Sequence, residues 1–155
     1  MVLGKDKTLV IKSFIEGLEP DPMGRTFDNI LSYNDADIEN VHNFIQWLFP
    51  LDEPSQAVAG SPVLSGTDIK EIRASNTAKI NLLHASEWYL GFLERNRQWV
   101  TMYDHNHLRI TRVIKSLRLL IGDWEADEFR AKVFTLLGDE KSKIDLKALS
   151  FWTKS

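Results

Sequence analysis

Apolar residues in this chain recur at intervals of three and four almost from end to end, and no strict alternation of two survives beyond a few positions. That spacing lines apolar side chains along one stripe of a helix, whereas on a strand it would scatter them over both faces. The pattern predicts an all-α fold, an irregular bundle of six to eight helices forming a single domain over 1–155. A length of 155 residues suits one domain and can bury enough surface to fold without a disulfide or a structural metal. There is no cysteine, so a disulfide scaffold, a thiol nucleophile and any Cys-bearing zinc site are excluded together.

Proline, glycine and capping residues divide the pattern into elements. A first amphipathic segment runs from about Thr8 to Leu18 and ends at Pro20, Pro22 and Gly24. Thr26 is placed to cap a short helix holding Phe27, Ile30 and Leu31, and a stronger helix is expected from Asp35 to Phe49, stopped by Pro50. Residues 50–66 carry three prolines and two glycines and form the one long irregular stretch, which is expected to be more mobile than the helices. Ser65 or Thr67 then starts a short helix through about Ala74, and Ser75 or Asn76 a longer one reaching Arg95. Asp104 caps a helix closed by Gly122, Asp123 caps another ended by Gly138, and a last helix from about Ser142 carries Phe151 and Trp152.

Two of these helices have faces that conflict. Over 35–49, Ile38, Val41, Phe44, Ile45, Leu48 and Phe49 share one broad apolar face with His42 at its border and Gln46 just beyond. Trp47 falls on the opposite, polar side, so either the 50–66 loop folds over it or it lines a groove with that loop as the rim. Over 104–121, Ile110, Val113, Ile114, Leu117, Leu120 and Ile121 form a core stripe, while Leu108 and Leu119 lie about opposite; a helix apolar on two sides is expected to be packed from both. Between the two faces His105, Arg109, Arg112 and Ser116 follow one another at spacings of four, three and four, which stacks them in a single column. The column begins at a helix N-terminus, where free N–H groups favour an anion, and its guanidiniums could clamp a carboxylate or phosphate. The alternative is internal pairing with Asp35, Asp37 or Glu39. The two helices are expected to meet at the centre of the fold.

The net charge of −3 speaks against non-specific nucleic-acid binding, although a strip of Arg109, Arg112, Lys115 and Arg118 keeps that class in view. Residues 1–60 hold ten acids and four bases, whereas 101–122 hold four bases and one acid, so the two regions either attract one another or the basic one faces an anionic partner. No apolar run approaches the ~18 residues of a membrane helix, and the first residues lack a signal-peptide core, so a cytoplasmic location is expected. Phosphate-loop, dinucleotide, nucleophile-elbow, H-E-x-x-H and EF-hand signatures are absent. His105 and His107 diverge by roughly 200° around a helix and cannot chelate one ion by themselves. Neither a metal nor a cofactor is expected.

The run His42-Asn43-Phe44-Ile45-Gln46-Trp47-Leu48-Phe49-Pro50-Leu51 resembles the H-x-Y-I-Q-W-L-F-P-L stretch of the opioid growth factor receptor domain. His105 to Leu117, reading HNHLRITRVIKSL, is similar to that family's H-N-x-L-R-I-T-R-I-L-K-S-L. Fainter likenesses cover Phe14–Gly24, Glu87–Phe92 and Ala148–Trp152, so the resemblance runs through almost the whole chain in order. It implies an all-helical domain that in animals forms the N-terminal part of an intracellular, nuclear-envelope-associated receptor for methionine enkephalin, and it carries over no catalytic residue. A chain this short reads as a stand-alone microbial member. The leading expectation is a non-enzymatic module that binds a peptide, a protein or a small anionic ligand. Its groove would be formed by His42, Gln46, Trp47, His105, Asn106, Arg109 and Arg112. The rival expectation is an enzyme acting on an anionic substrate through His42 or His105 with the two arginines.

Overall fold

Capping residues set several of the helix starts in a computed structural model that describes residues 7–155, with side chains from Ile11 onward. The opening residues read for a signal-peptide core, and the side chains of Thr8 and Leu9, lie outside the described part. The helices are α1 (Lys7–Ile15), α2 (Phe27–Leu31), α3 (Asp35–Asn40), α4 (Ile45–Leu48), α5 (Gly66–Arg73), α6 (Asn76–Arg95), α7 (His105–Leu120), α8 (Asp123–Leu137) and α9 (Leu146–Lys154). Thr26, Ser65 and Ser75 cap α2, α5 and α6, each accepting a hydrogen bond from a first-turn N–H. Asp104 does the same for α7. Three boundaries differ from expectation. Gly17, at φ +81, turns the chain just beyond the end of α1, three residues before Pro20. Asp123 is the first residue of α8 rather than its cap, which is Gly122. A 3-10 turn over Gly138–Lys143 precedes α9, whose start moves to Leu146.

The larger correction falls at 35–49, which is not one helix. Val41 is extended (φ −88, ψ 123), and a short connection separates α3 from α4. The cause lies outside the segment. Arg109 takes the carbonyls of Ile38 and Val41, at 2.6 and 2.9 Å, and Arg25 takes the carbonyl and the side-chain oxygen of Asn43, at 3.2 and 2.8 Å. Those backbone oxygens would be the acceptors of a continuous helix, and distant arginines claim them.

Breaking the helix also moves Trp47. Its half-buried indole packs edge-on against Phe14 of α1, ring centres 5.6 Å apart. The core runs continuously through all nine described helices' apolar stripes, with Ile110, Val113, Ile114, Leu117 and Leu120 of α7 fully buried at its middle. Helix α7 packs against α5, α6, α8 and α9. Leu119 is partly buried against this core, but Leu108 is 65% exposed, so only one of the two off-stripe leucines is covered by packing. Among the described residues there is no sheet, only an isolated bridge between Leu51 and Val63, and no helix is long and apolar enough to cross a membrane.

Candidate functional site

The column on α7 is continuous, and what it meets is the chain segment from Ile38 to Pro50. His105 Nε2 lies 2.9 Å from Glu39 Oε1, and its Nδ1 3.6 Å from Asp104 Oδ1. Arg109 holds Ile38 and Val41 as described, reaches Asn106 Oδ1 at 3.3 Å, and lies 5.2 Å from the Phe44 ring centre. Arg112 Nε donates to the Phe49 carbonyl at 2.8 Å, and the Ser116 hydroxyl to the Pro50 carbonyl at 2.9 Å. The two regions flagged in the sequence therefore do meet. They meet through side chains on backbone carbonyls, not through the expected ion pairs between the arginines and Asp35, Asp37 or Glu39. Asp35 instead pairs with Arg95 at 2.8 Å, and Glu39 accepts from Asn106 and Gln98.

Asn106 serves this junction from inside. It is 1% exposed, accepts from the Tyr89 phenol at 2.6 Å, and donates to both Glu39 and Asp104 at 2.9 Å. Burial pushes the Tyr89 phenol well up, so it remains a donor. Burial also works against the Glu39 carboxylate, but hydrogen bonds from Asn106 and Gln98 and the proximity of His105 outweigh it and leave Glu39 below its ordinary value. Glu39, Asp104 and His105 bring one potential ligand atom each to within 4.8 Å of one another, the one such group among the described residues. Each is engaged with its neighbours or with Asn106.

Beside this junction lies a cavity of about 600 Å³. Helix α7 forms one wall with His105, Leu108, Arg109, Thr111, Arg112 and Lys115, the 42–51 segment a second with His42, Ile45, Gln46 and Leu51, and residues 53–58 the third. Of the seven residues expected to share a groove, His42, Gln46, His105, Arg109 and Arg112 line it, while Trp47 and Asn106 face the core and do not. Leu51 and residues 53–58 of the 50–66 loop border it, whereas Trp47, for which that loop was expected to form a rim, does not. Leu108, Thr111 and Lys115 also line it but were not placed in the expected groove; the sequence marked Leu108 only as an off-stripe leucine and Lys115 only as part of a basic strip.

Two buried polar atoms in these walls lack a protein partner: Nη2 of Arg112 and Oε1 of Gln46. Burial lowers Arg112 to about 10, only partly offset by the charge of Glu53, so the guanidinium stays charged at neutral pH. Gln46 spends its amide nitrogen on the His42 carbonyl, 3.4 Å away, which turns its oxygen the other way. The His42 and His105 rings meet edge to face, centres 5.4 Å apart. The remaining cations expected on this face are paired: Lys115 with Glu53 at 2.7 Å, and Arg118 with Asp123 and Asp127 at 2.8 and 2.7 Å. They form no free cationic strip.

An all-helical fold whose central helix clasps the backbone of an N-terminal segment beside a three-walled cavity is the class of structure established by this geometry. The chain belongs to the family described as the opioid growth factor receptor conserved region, whose model matches residues 5–97. That span contains the 42–51 motif; the 105–117 motif lies beyond it. The opioid growth factor receptor of Mus musculus is 34% identical over 98 aligned residues, covering 52% of this chain and 15% of that protein. The Homo sapiens receptor is 29% identical over 121 residues, covering 66% of this chain and 17% of its own length, and the Rattus norvegicus receptor is 31% identical over 98. This chain thus spans about a sixth of the curated relatives it matches. No solved structure matches it with significance.

Proposed function

We propose that this domain is a non-enzymatic ligand-binding module and that its ligand presents an anionic group to Arg112 in the α7 cavity. The observation that carries this reading is the uncompensated Nη2 of Arg112, a charged donor held out of water without an acceptor, which costs stability unless something else repays it. A cavity of about 600 Å³ falls within the size range of small-molecule sites. The relatives are named receptors, which fits a binding role. Of the two imidazoles the enzymatic alternative would use, His105 has Glu39 and Asp104 at its two ring nitrogens, which leaves neither nitrogen open to a substrate.

The test is thermal unfolding of the parent and of Arg112→Met with millimolar inorganic phosphate or hexanoate, against chloride at equal ionic strength. At least one of the two anions is expected to raise the melting temperature of the parent and to leave that of Arg112→Met unchanged. Equal responses in both proteins, or none in the parent, refute the assignment.

A further inference from the structure

The same wall holds a second unpaired atom of opposite character, and it narrows the ligand. Gln46 Oε1 is an acceptor, buried and without a donor, on a residue that lines the same cavity as Arg112, whose Nη2 is the unpaired donor. A simple anion satisfies the arginine and repels the amide oxygen. An occupant that completes both must combine an anionic oxygen with an O–H or N–H.

The charge count restricts the anion. Lys115 is neutralised by Glu53, and Arg109 spends its donors on Ile38, Val41 and Asn106 in surroundings it shares with Glu39 and Asp104. Arg112 Nη2 is the one buried side-chain donor without an acceptor among the described residues. One such donor matches a single negative charge, which a carboxylate carries at neutral pH and a phosphate monoester exceeds. The rest of the lining is largely apolar, with Ile45, Leu51, Pro54, Ala57, Val58 and Leu108, so the charged head comes with a hydrocarbon body.

We propose that the cavity is a site for apolar monocarboxylic acids that also carry a hydroxyl, the carboxylate meeting Arg112 and the hydroxyl donating to Gln46. This rests on the binding role set out above and names its ligand class. Both atoms are closed to solvent in this conformation, so wall side chains swing aside on entry. The 53–58 loop is the wall best able to yield, because the amides of Ala57 and Val58 bond only to the Ser55 hydroxyl.

Calorimetric titration of the full chain with hexanoate, 2-hydroxyhexanoate, 6-hydroxyhexanoate and 1,2-hexanediol tests this. At least one hydroxy acid is expected to bind roughly tenfold or more tightly than hexanoate, since the acid without a hydroxyl leaves Gln46 Oε1 unpaired. The uncharged diol is expected not to bind measurably. In Gln46→Met the preference for the hydroxy acid over hexanoate disappears, with unfolding of the variant followed to confirm that it is folded. The comparison among ligands on the parent stands without any variant. Equal affinity of hexanoate and both hydroxy acids overturns the inference and leaves the anion-binding role intact. So does a thermal response to inorganic phosphate with no acid bound. A preference that survives in Gln46→Met removes Gln46 as the acceptor and overturns it too. If neither phosphate nor any acid acts on the parent, both readings fall.

Discussion

Replacing Arg109 with alanine separates scaffold from site. The side chain is 5% exposed and holds the carbonyls of Ile38 and Val41 in the turn between α3 and α4. Each buried carbonyl left without a donor costs about 1–3 kcal/mol, and the guanidinium also packs over the Phe44 ring at 5.2 Å, worth roughly another 1 kcal/mol. Against this, the variant no longer desolvates a buried charge, which returns part of the loss. The net expectation is about 3–5 kcal/mol of destabilisation. For a chain of this length that lowers the melting temperature by on the order of 10 °C. Arg112→Ala removes one bond, to Phe49, and also removes the unpaired Nη2, so its cost is expected within about 1 kcal/mol of zero. Urea unfolding of parent and both variants, with the slope checked for constancy, reads the two numbers. An Arg109→Ala midpoint equivalent to less than about 1 kcal/mol, or equal losses at both positions, refutes this division of roles.

Amides of 52–63 are expected to exchange with deuterium much faster than those of α7, because the backbone hydrogen bond that closes this loop among the described residues is Leu64 N–H to the Leu51 carbonyl at 2.8 Å; equal protection contradicts this. The Arg95 guanidinium, then Asn96, holds the Asp35 carboxyl down to about 2 from 3.8, so the pair's stabilisation is present above the unfolded value and fades as pH falls from about 4 to 2. Parent and Asp35→Asn should therefore differ slightly in melting temperature at pH 6 and converge near pH 2, the gap shrinking in high salt because both side chains are more than a third exposed; curves that stay parallel defeat the assignment.

Most of the helices were legible because caps and stripes are local. Thr26, Ser75, Asp104 and Gly138 mark the ends they seem to mark. The 35–49 segment was misread for a reason no local pattern contains. Its apolar spacing suits a helix, but its carbonyls are taken by arginines about 70 positions later and 18 positions earlier. The misplacement of Trp47 follows from that error, since a helical wheel drawn through Val41 has no meaning once Val41 is extended. At the site, the column at 105, 109, 112 and 116 was visible as spacing. Which members would be sealed by backbone and which would be left unpaired was not, because backbone acceptors carry no residue identity.

Arg109, Arg112 and Ser116 grip oxygen atoms that every residue possesses, so side chains at 38, 41, 49 and 50 are not read by α7 except through size and backbone shape. The dependence is one-sided. A lost Arg–acid pair can be restored by exchanging the charges, but no substitution at 38 or 41 can compensate for losing the guanidinium at 109, because its partners are not side chains. Drift among relatives should therefore run freely along the clasped segment within its volume limits and stall at the clasp, and paired changes between the two should be rare even though they touch.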